Sequence, residues 1–278
     1  MDVLELSAPA KLNLRLLVGP LREDGYHPIA SLMVALDGLD DTVRVARADE
    51  RRVICAGIDG PANLAWRALD ALAGEVGRPL APLRVTIEKR VPSQAGLGGG
   101  SSDAAATLIA ADRLLGLDLG PDRLEAAAAR VGSDVPFFIR GGCQWAQGRG
   151  ERLSPAHAPG FAALLVMPGI GLPTPAVYAA FDRASAPSRE PVAASEPPGG
   201  FAALAAWVRN DLWGPALALA PSLGASARAL SAAGARATLL CGSGSCVAGL
   251  FPDRTAARAA AERIPPGTAH AVVAPLRG

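Results

Sequence analysis

The stretch Leu83-Arg84-Val85-Thr86-Ile87-Glu88-Lys89-Arg90-Val91-Pro92-Ser93-Gln94-Ala95-Gly96-Leu97-Gly98-Gly99-Gly100-Ser101-Ser102-Asp103 decides how this chain is read. Leu83, Val85 and Ile87 alternate with Arg84, Thr86 and Glu88, the period of a half-buried strand. Ser101 to Leu115 is Ala-rich and helical. Between them lie four glycines within Gly96 to Gly100. Glycine adopts φ > 0 at little cost, and its bare backbone lets N–H groups converge on an anion. The helix that follows turns its positive end toward the same spot, worth roughly 0.3–2 kcal/mol for one charge. A flexible turn is the plain alternative. Strand, glycine loop and helix in that order predict a polyphosphate cradle, with the Ser101 and Ser102 hydroxyls placed for phosphate or a metal ion.

Familiar nucleotide loops do not fit. A Walker loop ends in Gly-Lys-Ser/Thr, whereas this one ends Gly100-Ser101-Ser102. A dinucleotide fingerprint needs Gly-x-Gly-x-x-Gly, and Gly96-x-Gly98 is followed by Ser101. The His-Arg-Asp and Asp-Phe-Gly pairs of protein kinases are absent from the sequence.

Outward from the loop, Val3 to Val18 alternates as strand and stops at Gly19-Pro20, and Asp24-Gly25 marks a turn. Leu32 to Leu39 and Thr42 to Ala46 read as strands. Asn63 to Val76 reads as a helix stopped by Gly77. A second helix spans Pro121 to Val131, and Gly132 to Asp134 forms a turn before Pro136-Phe137-Phe138-Ile139. Ala162 to Met167 reads as strand and Pro173 to Phe181 as helix. Arg183 to Gly200, rich in Ser, Pro, Ala and Glu, reads as a surface loop. Leu212 to Ala233 is mainly helical, Ala237 to Leu250 is strand–turn–strand, Thr255 to Arg263 is a helix and Ala269 to Val273 a last strand. The mixture predicts an α+β protein of two domains, 1–150 and 151–278, meeting where composition shifts.

The 278 residues, half of them hydrophobic, suffice for such cores. A formal net charge of +1 and few aromatics give no reason to expect nucleic acid. The cysteines, Cys55, Cys143, Cys241 and Cys246, form no Cys-x-x-Cys pair, which argues against structural zinc and for reduced thiols. The first residues are acidic and alternating rather than a leader, and no apolar run suits a bilayer. A cytoplasmic protein without membrane partners is the expectation. Lys11 and Lys89 are the only lysines among many arginines.

Pro92-x-x-x-Gly96-Leu97-Gly98-Gly99-Gly100-Ser101-Ser102 resembles the phosphate-binding motif of the GHMP kinases. Ala8-Pro9-Ala10-Lys11-Leu12-Asn13-Leu14 resembles their first motif, and Cys241-Gly242-Ser243-Gly244-Ser245-Cys246 their third, although Cys241 and Ser245 depart from the usual residues. The resemblance covers nearly the whole chain except the Arg183–Gly200 loop. It implies the GHMP kinase fold, two α+β domains with the active site in the cleft between them, and ATP as co-substrate with Mg2+. Asp24-Gly25-Tyr26-His27, Gly132-Ser133-Asp134-Val135-Pro136-Phe137-Phe138 and Asn210-Asp211-Leu212 narrow it to a branch acting on a small cytidine diphosphate substrate. What that implies is transfer of the γ-phosphoryl group of ATP to the 2-hydroxyl of a cytidine-diphosphate-linked methylerythritol, on a route to isoprenoid precursors. Homoserine- and mevalonate-type kinases share the fold, as would a non-catalytic sensor.

Taken alone, Asp134 reads as a turn or helix cap; its motif makes it the candidate base for the hydroxyl proton. Taken alone, Lys11 reads as an exposed strand lysine; its motif makes it the ammonium that keeps Asp134 ionised and stabilises charge. Asn13, two residues on, shares the strand face of Lys11 and can orient a substrate oxygen. Tyr26 offers a stacking face for cytosine, and His27 a donor and an acceptor for its edge. The resemblance adds Thr174 and Tyr178 beside the cytosine and Gly244 in the third motif beside the substrate. Asn63 reads as a helix cap, and the resemblance places an adenine contact near it.

Overall fold

The computed structural model describes residues 3–184 and 193–276. Packing divides the chain into two compact units, each drawn from three separate segments. One is Met1–Ala10, Asp40–Val91 and Gly98–Gly141; the other is Lys11–Leu39, Pro92–Leu97 and Gly142–Gly278. The compositional boundary near residue 150 therefore differs from the packing: residues 11–39 and 92–97 group with the C-terminal part. Strands β1 (Val3–Val18) and β2 (Ile29–Arg47) each contribute residues to both units.

The first unit is built around β4. After β3 (Arg52–Cys55) come α1 (Leu64–Val76), β4 (Leu83–Glu88), α2 (Gly99–Leu115), α3 (Gly120–Val131) and α4 (Val135–Arg140). Strand β4 pairs antiparallel with Thr42–Arg47 of β2 and parallel with β3, the parallel step being made through α1. Its Leu83, Val85 and Ile87 are buried, as their alternation predicts. Gly77 ends α1 in the left-handed region at φ 74°. Helix α2 is buried on most sides, with Ala104, Ala105, Ala106, Thr107, Leu108, Ala110 and Ala111 inside. Small side chains let α1 and α4 approach it closely.

The second unit is an antiparallel sheet with helices. Its elements are β5 (Cys143–Gly148), β6 (Arg152–Pro155), β7 (Ala162–Met167), α5 (Thr174–Ala184), α6 (Phe201–Trp207), β8 (Arg209–Asn210), α7 (Trp213–Leu219), α8 (Leu223–Ala232), β9 (Ala237–Leu240), β10 (Val247–Phe251), α9 (Arg254–Ala261) and β11 (Ala269–Pro275). Strand β11 pairs with β2 and β7, β7 with β10 and β10 with β9, while β5 pairs with β2 and β6. Strand β8 pairs parallel with β1 at Arg15 and Leu16. Leu164 and Val166 of β7, Leu212, Leu223, Leu230 and Leu240 form part of its core.

Strands expected as fragments prove continuous. Leu32–Leu39 and Thr42–Ala46 are one strand, β2, with Gly38 inside it at φ 107°. A Cβ there would stand 2.8 Å from the Val272 carbonyl oxygen, so glycine lets β2 turn without a break. The helical run from Leu212 divides at Pro221 into α7 and α8. Of the Arg183–Gly200 loop, Arg183 and Ala184 belong to the last turn of α5, residues 185–192 lie outside the described residues, and 193–200 are irregular. Among the described residues no helix is long and apolar enough to cross a membrane.

Candidate active site

In the first unit the glycine loop runs into α2. Gly98 is the N-cap residue at φ 74°, without a side-chain cap. The N–H of Ser102 donates to the Gly98 carbonyl at 2.9 Å, closing the first turn. The N–H groups of Gly99, Gly100 and Ser101 are thus not used by the helix itself and point from its positive end. Gly100 is exposed there and Ser102 is buried, its Oγ without a hydrogen-bond partner. The backbone at Gly98 is left-handed, a conformation glycine adopts at little cost, and the free N–H groups stand at the positive end of the helix.

Asp134 stands at the N-cap position of α4, also in the first unit, with φ −87° and ψ −12°. Its side chain makes no cap hydrogen bond, so the capping role that the residue suggests in isolation is not the one it has. Asn63, by contrast, is a cap. Its Oδ1 accepts from the Ala65 N–H at 2.9 Å and its Nδ2 donates to the Ile58 carbonyl at 2.9 Å. Its buried amide holds the entry of α1 in place.

In the second unit the backbone draws three sequence motifs together. The Lys11 N–H donates to the Leu97 carbonyl at 2.9 Å, and the Cys246 N–H to the Ala95 carbonyl at 3.1 Å. Pro92 opens this segment, and Leu97 is buried within it. Gly96 has φ 75°, and a Cβ on it would lie 1.7 Å from the Cys241 carbonyl oxygen. A Cβ on Gly242 would lie 2.9 Å from the Gly96 carbonyl oxygen and 3.1 Å from Lys11 Nζ. Only glycines permit this approach. Lys11 is buried rather than exposed, and its Nζ donates to Asn13 Oδ1 at 2.5 Å. Asn13 Nδ2 donates to Ser31 Oγ at 2.7 Å, and Ser31 Oγ to the Arg15 carbonyl at 2.9 Å. A line of hydrogen bonds thus runs from the ammonium through Asn13 and Ser31 to the Arg15 carbonyl.

The third motif is held by a residue that sequence reasoning named only as part of a pattern. Buried Asn210 donates Nδ2 to the Leu240 carbonyl at 2.8 Å and the Gly242 carbonyl at 2.7 Å. Its Oδ1 accepts from the Leu212 N–H at 2.9 Å. The only sequence signal was Asn210-Asp211-Leu212, whose asparagine favours such local turns. Thr174 Oγ1 lies 2.8 Å from Ser243 Oγ, joining the start of α5 to the motif. Gly244, at φ 95°, sits where a Cβ would meet Leu240 and Leu172 at about 3 Å.

The aromatic residues divide. His27 is buried, its ring 5.5 Å from that of Tyr178 and 5.7 Å edge-on from that of Phe181. His27 Nδ1 lies 2.8 Å from the Gly19 carbonyl, which can only accept, so Nδ1 carries hydrogen. Nε2 lies 3.1 Å from Asp182 Oδ1, close but without hydrogen-bond alignment. The edge that the sequence reading offered to a base thus faces protein groups in this structure. Tyr26 is half exposed, with the Arg149 guanidinium 3.9 Å from its ring centroid.

Both halves of the chain match one class of protein. The family model of the GHMP kinases N terminal domain matches residues 63–142, and that of the GHMP kinases C terminal matches residues 199–266. The class is therefore that of the GHMP kinases, ATP-dependent kinases of small molecules. A 4-diphosphocytidyl-2-C-methyl-D-erythritol kinase of Anaeromyxobacter sp. (strain K) is 44% identical over 91% of this chain and 82% of its own length. Another so named, from Rhodococcus jostii (strain RHA1), is 40% identical over 95% of this chain and 89% of its own. The crystal structure of a 4-(cytidine 5'-diphospho)-2C-methyl-D-erythritol kinase superposes with a TM-score of 0.80 at 36% identity, covering 99% of this chain and 100% of that one. A homoserine kinase from Cytophaga hutchinsonii, at 17% identity and a TM-score of 0.70 over 99% of this chain and 95% of its own, shares the fold. The chain belongs to the 4-diphosphocytidyl-2-C-methyl-D-erythritol kinase family.

Proposed function

We propose that this protein transfers the γ-phosphoryl group of ATP to the 2-hydroxyl of 4-diphosphocytidyl-2-C-methyl-D-erythritol, in the cytoplasm, on the methylerythritol phosphate route to isoprenoid precursors. The observation that carries this reading is the glycine-only approach of Gly96 and Gly242 around the buried Lys11 ammonium. It supplies what phosphoryl transfer asks of a protein: a rigid cradle and a placed cation.

In this reading the N–H groups at the head of α2 hold the phosphates of ATP. Asp134 accepts the proton of the 2-hydroxyl as the new O–P bond forms and the bond to the β-phosphate oxygen breaks, releasing ADP. Lys11 stabilises the charge that spreads over the transferred group, and Asn13 orients the substrate. Tyr26 and Tyr178 flank the cytosine, with Thr174 and Gly244 along the substrate. His27, turned into the protein, acts by propping Tyr178.

When bound, Mg2+ neutralises phosphate charge. Among the described residues no group of three or more His, Cys, Asp or Glu could hold a metal ion. That suits an ion carried mainly by the phosphates and water, with the Ser101 and Ser102 hydroxyls as protein donors. A coupled assay of ADP release, with the cytidine substrate, with mevalonate and with no acceptor, tests the proposal. Turnover confined to the cytidine substrate is expected. Equal turnover with mevalonate, or none with any acceptor, would overturn it.

A further inference from the structure

The turn that carries Tyr26 is closed on itself at His27. The Gly19 N–H donates to the Pro28 carbonyl at 2.8 Å, and the Gly19 carbonyl accepts from His27 Nδ1 at 2.8 Å. A Cβ on Gly19 would stand 2.8 Å from Pro28 Cγ, so glycine is what lets the two ends of the turn meet. The imidazole is thus fixed to the base of the turn between β1 and β2. Its remaining sides meet α5. Tyr178, Phe181 and Asp182 stand at i, i+3 and i+4, so they share one side of that helix. All three lie against His27: the two rings at 5.5 and 5.7 Å, and Asp182 Oδ1 at 3.1 Å from Nε2. His27 is therefore the joint between the turn and the helix.

The joint turns on one proton. Nδ1 carries hydrogen, because the Gly19 carbonyl can only accept. A neutral imidazole has a single N–H, so Nε2 would then be a bare lone pair. It is buried, and the group beside it is a carboxylate oxygen. Lone pair and carboxylate repel at that distance; with a proton on Nε2 the same contact is an attractive ion pair, which needs no hydrogen-bond alignment. Other charges near the turn are engaged elsewhere. Arg22 pairs with Asp24 at 3.1 Å, and the Arg149 guanidinium, from the β5–β6 turn, covers the Tyr26 ring. Asp211, whose Oδ2 accepts from the Val18 N–H at 3.0 Å, pairs with Arg209 at 2.6 Å. From α5 the titratable groups facing His27 are Asp182 and Tyr178. Among the described residues Asp182 is the one charged group at ion-pair distance from the imidazole.

We propose that Asp182 is a positioning residue that holds a proton on His27 Nε2 and so ties Tyr178, on α5, to the turn that carries Tyr26. The proposal rests on the cytidine reading above, in which those two rings flank the base. Loss of the proton turns attraction into repulsion at the joint and lets the rings part. Binding of the cytidine substrate therefore weakens as pH rises, while the chemistry at the 2-hydroxyl is untouched.

The test has two arms. The first is imidazole nitrogen NMR of the ligand-free protein, with the His27 signals identified by their loss in His27→Ala. At pH 6 the wild type should show both ring nitrogens protonated, and Asp182→Asn only Nδ1. The second arm is KM for the cytidine substrate at pH 6 and pH 8.5. A half-exposed ion pair is worth up to about fivefold, so wild-type KM should rise by about that factor between the two. Asp182→Asn should lose this rise, because its amide can donate to a bare Nε2 at either pH. Asp182→Ala should show the higher KM at both, with kcat within about twofold of wild type throughout. A purely structural role for Asp182 would not alter the pH profile. A bare Nε2 in the wild type at pH 6, or the same rise in KM in Asp182→Asn as in wild type, overturns the proposal. A wild type that does not turn over the cytidine substrate at all would sink the cytidine reading and the role of Tyr178 with it; the ligand-free spectra show which of the two has failed. Should Asp182→Asn not fold, the wild-type spectrum and a wild-type KM that is flat with pH remain decisive against it.

Discussion

The two glycine loops look alike in sequence and are held by different physics. Gly96 to Ser102 ends at a helix whose head is fastened by Lys89 between the Asp41 and Asp103 carboxylates. Cys241 to Cys246 is held by backbone bonds and the neutral amide of Asn210. The first arrangement rests on charged side chains and the second on backbone and amide hydrogen bonds. The loop proposed to hold the phosphates is thus backed by charge, while the Cys241–Cys246 loop is held by close backbone approach.

The largest expected effect sets the scale, because it alters neither loop. Asp134→Asn should lower kcat by about 10²- to 10⁴-fold while ATP binding stays close to wild type. Near-normal turnover would remove Asp134 from the chemistry. The close approach between the two loops is broken next. Gly96→Ala should cost about 10²-fold in turnover, because a Cβ 1.7 Å from the Cys241 carbonyl must displace backbone. Gly100→Ala, four residues on, meets only Leu64 in ordinary contact at 3.6 Å, so the unfolding midpoint should hardly move. Equal destabilisation by both would remove the approach of Gly96 to the Cys241 carbonyl as the constraint.

Asn210→Ala sharpens the neutral side. Loss of its bonds to two carbonyls should lower stability by about 1–3 kcal/mol, equally at pH 6 and pH 8. Asp103 provides the contrast. Burial lifts its folded value to about 7, above the ordinary 3.8, so between these the folded state binds the proton more tightly than the unfolded one. Its contribution to stability therefore falls as pH rises through that window, and Asp103→Asn should flatten the slope in urea unfolding at pH 5, 6 and 7. A slope unchanged in the variant would count against the raised value. The smallest effect is at His27. If it props Tyr178, His27→Ala should weaken cytidine and uridine substrates to a similar degree. A narrowed gap between the two bases would return His27 to reading the base edge.

Much of this was legible because it is local. Alternation at Leu83–Ile87, the Asn63 cap, the Gly77 stop and the glycine run each act within a few residues, and each has its element in the structure. Strand β5 was read only as a change of composition, because its Gln144, Trp145 and Ala146 are buried in succession and no alternation survives. Helix α6 hid behind Gly199 and Gly200, where a short helix looks like the tail of a loop. In the site, Lys11, Gly96 and Gly98 stood out through their motifs. The ionic cluster did not, since Asp41, Lys89 and Asp103 become neighbours only once β2, β4 and α2 are folded.

The interleaving of the two units bears on how the chain emerges during synthesis. Every residue of the first unit has been made once Gly141 leaves the ribosome, so its strands and helices can pack early. The second unit must wait. Strand β11, which follows every other strand of this sheet in sequence, pairs with β7 along Ala269–Val273 and with β2 at Ala274 and Pro275. Until then the segment of β2 near Leu36 and Asp37 has one edge unpaired, and so has β7. A nascent chain stalled before Ala269 would present both edges at once, making the interval before the final strand the one in which a chaperone matters most.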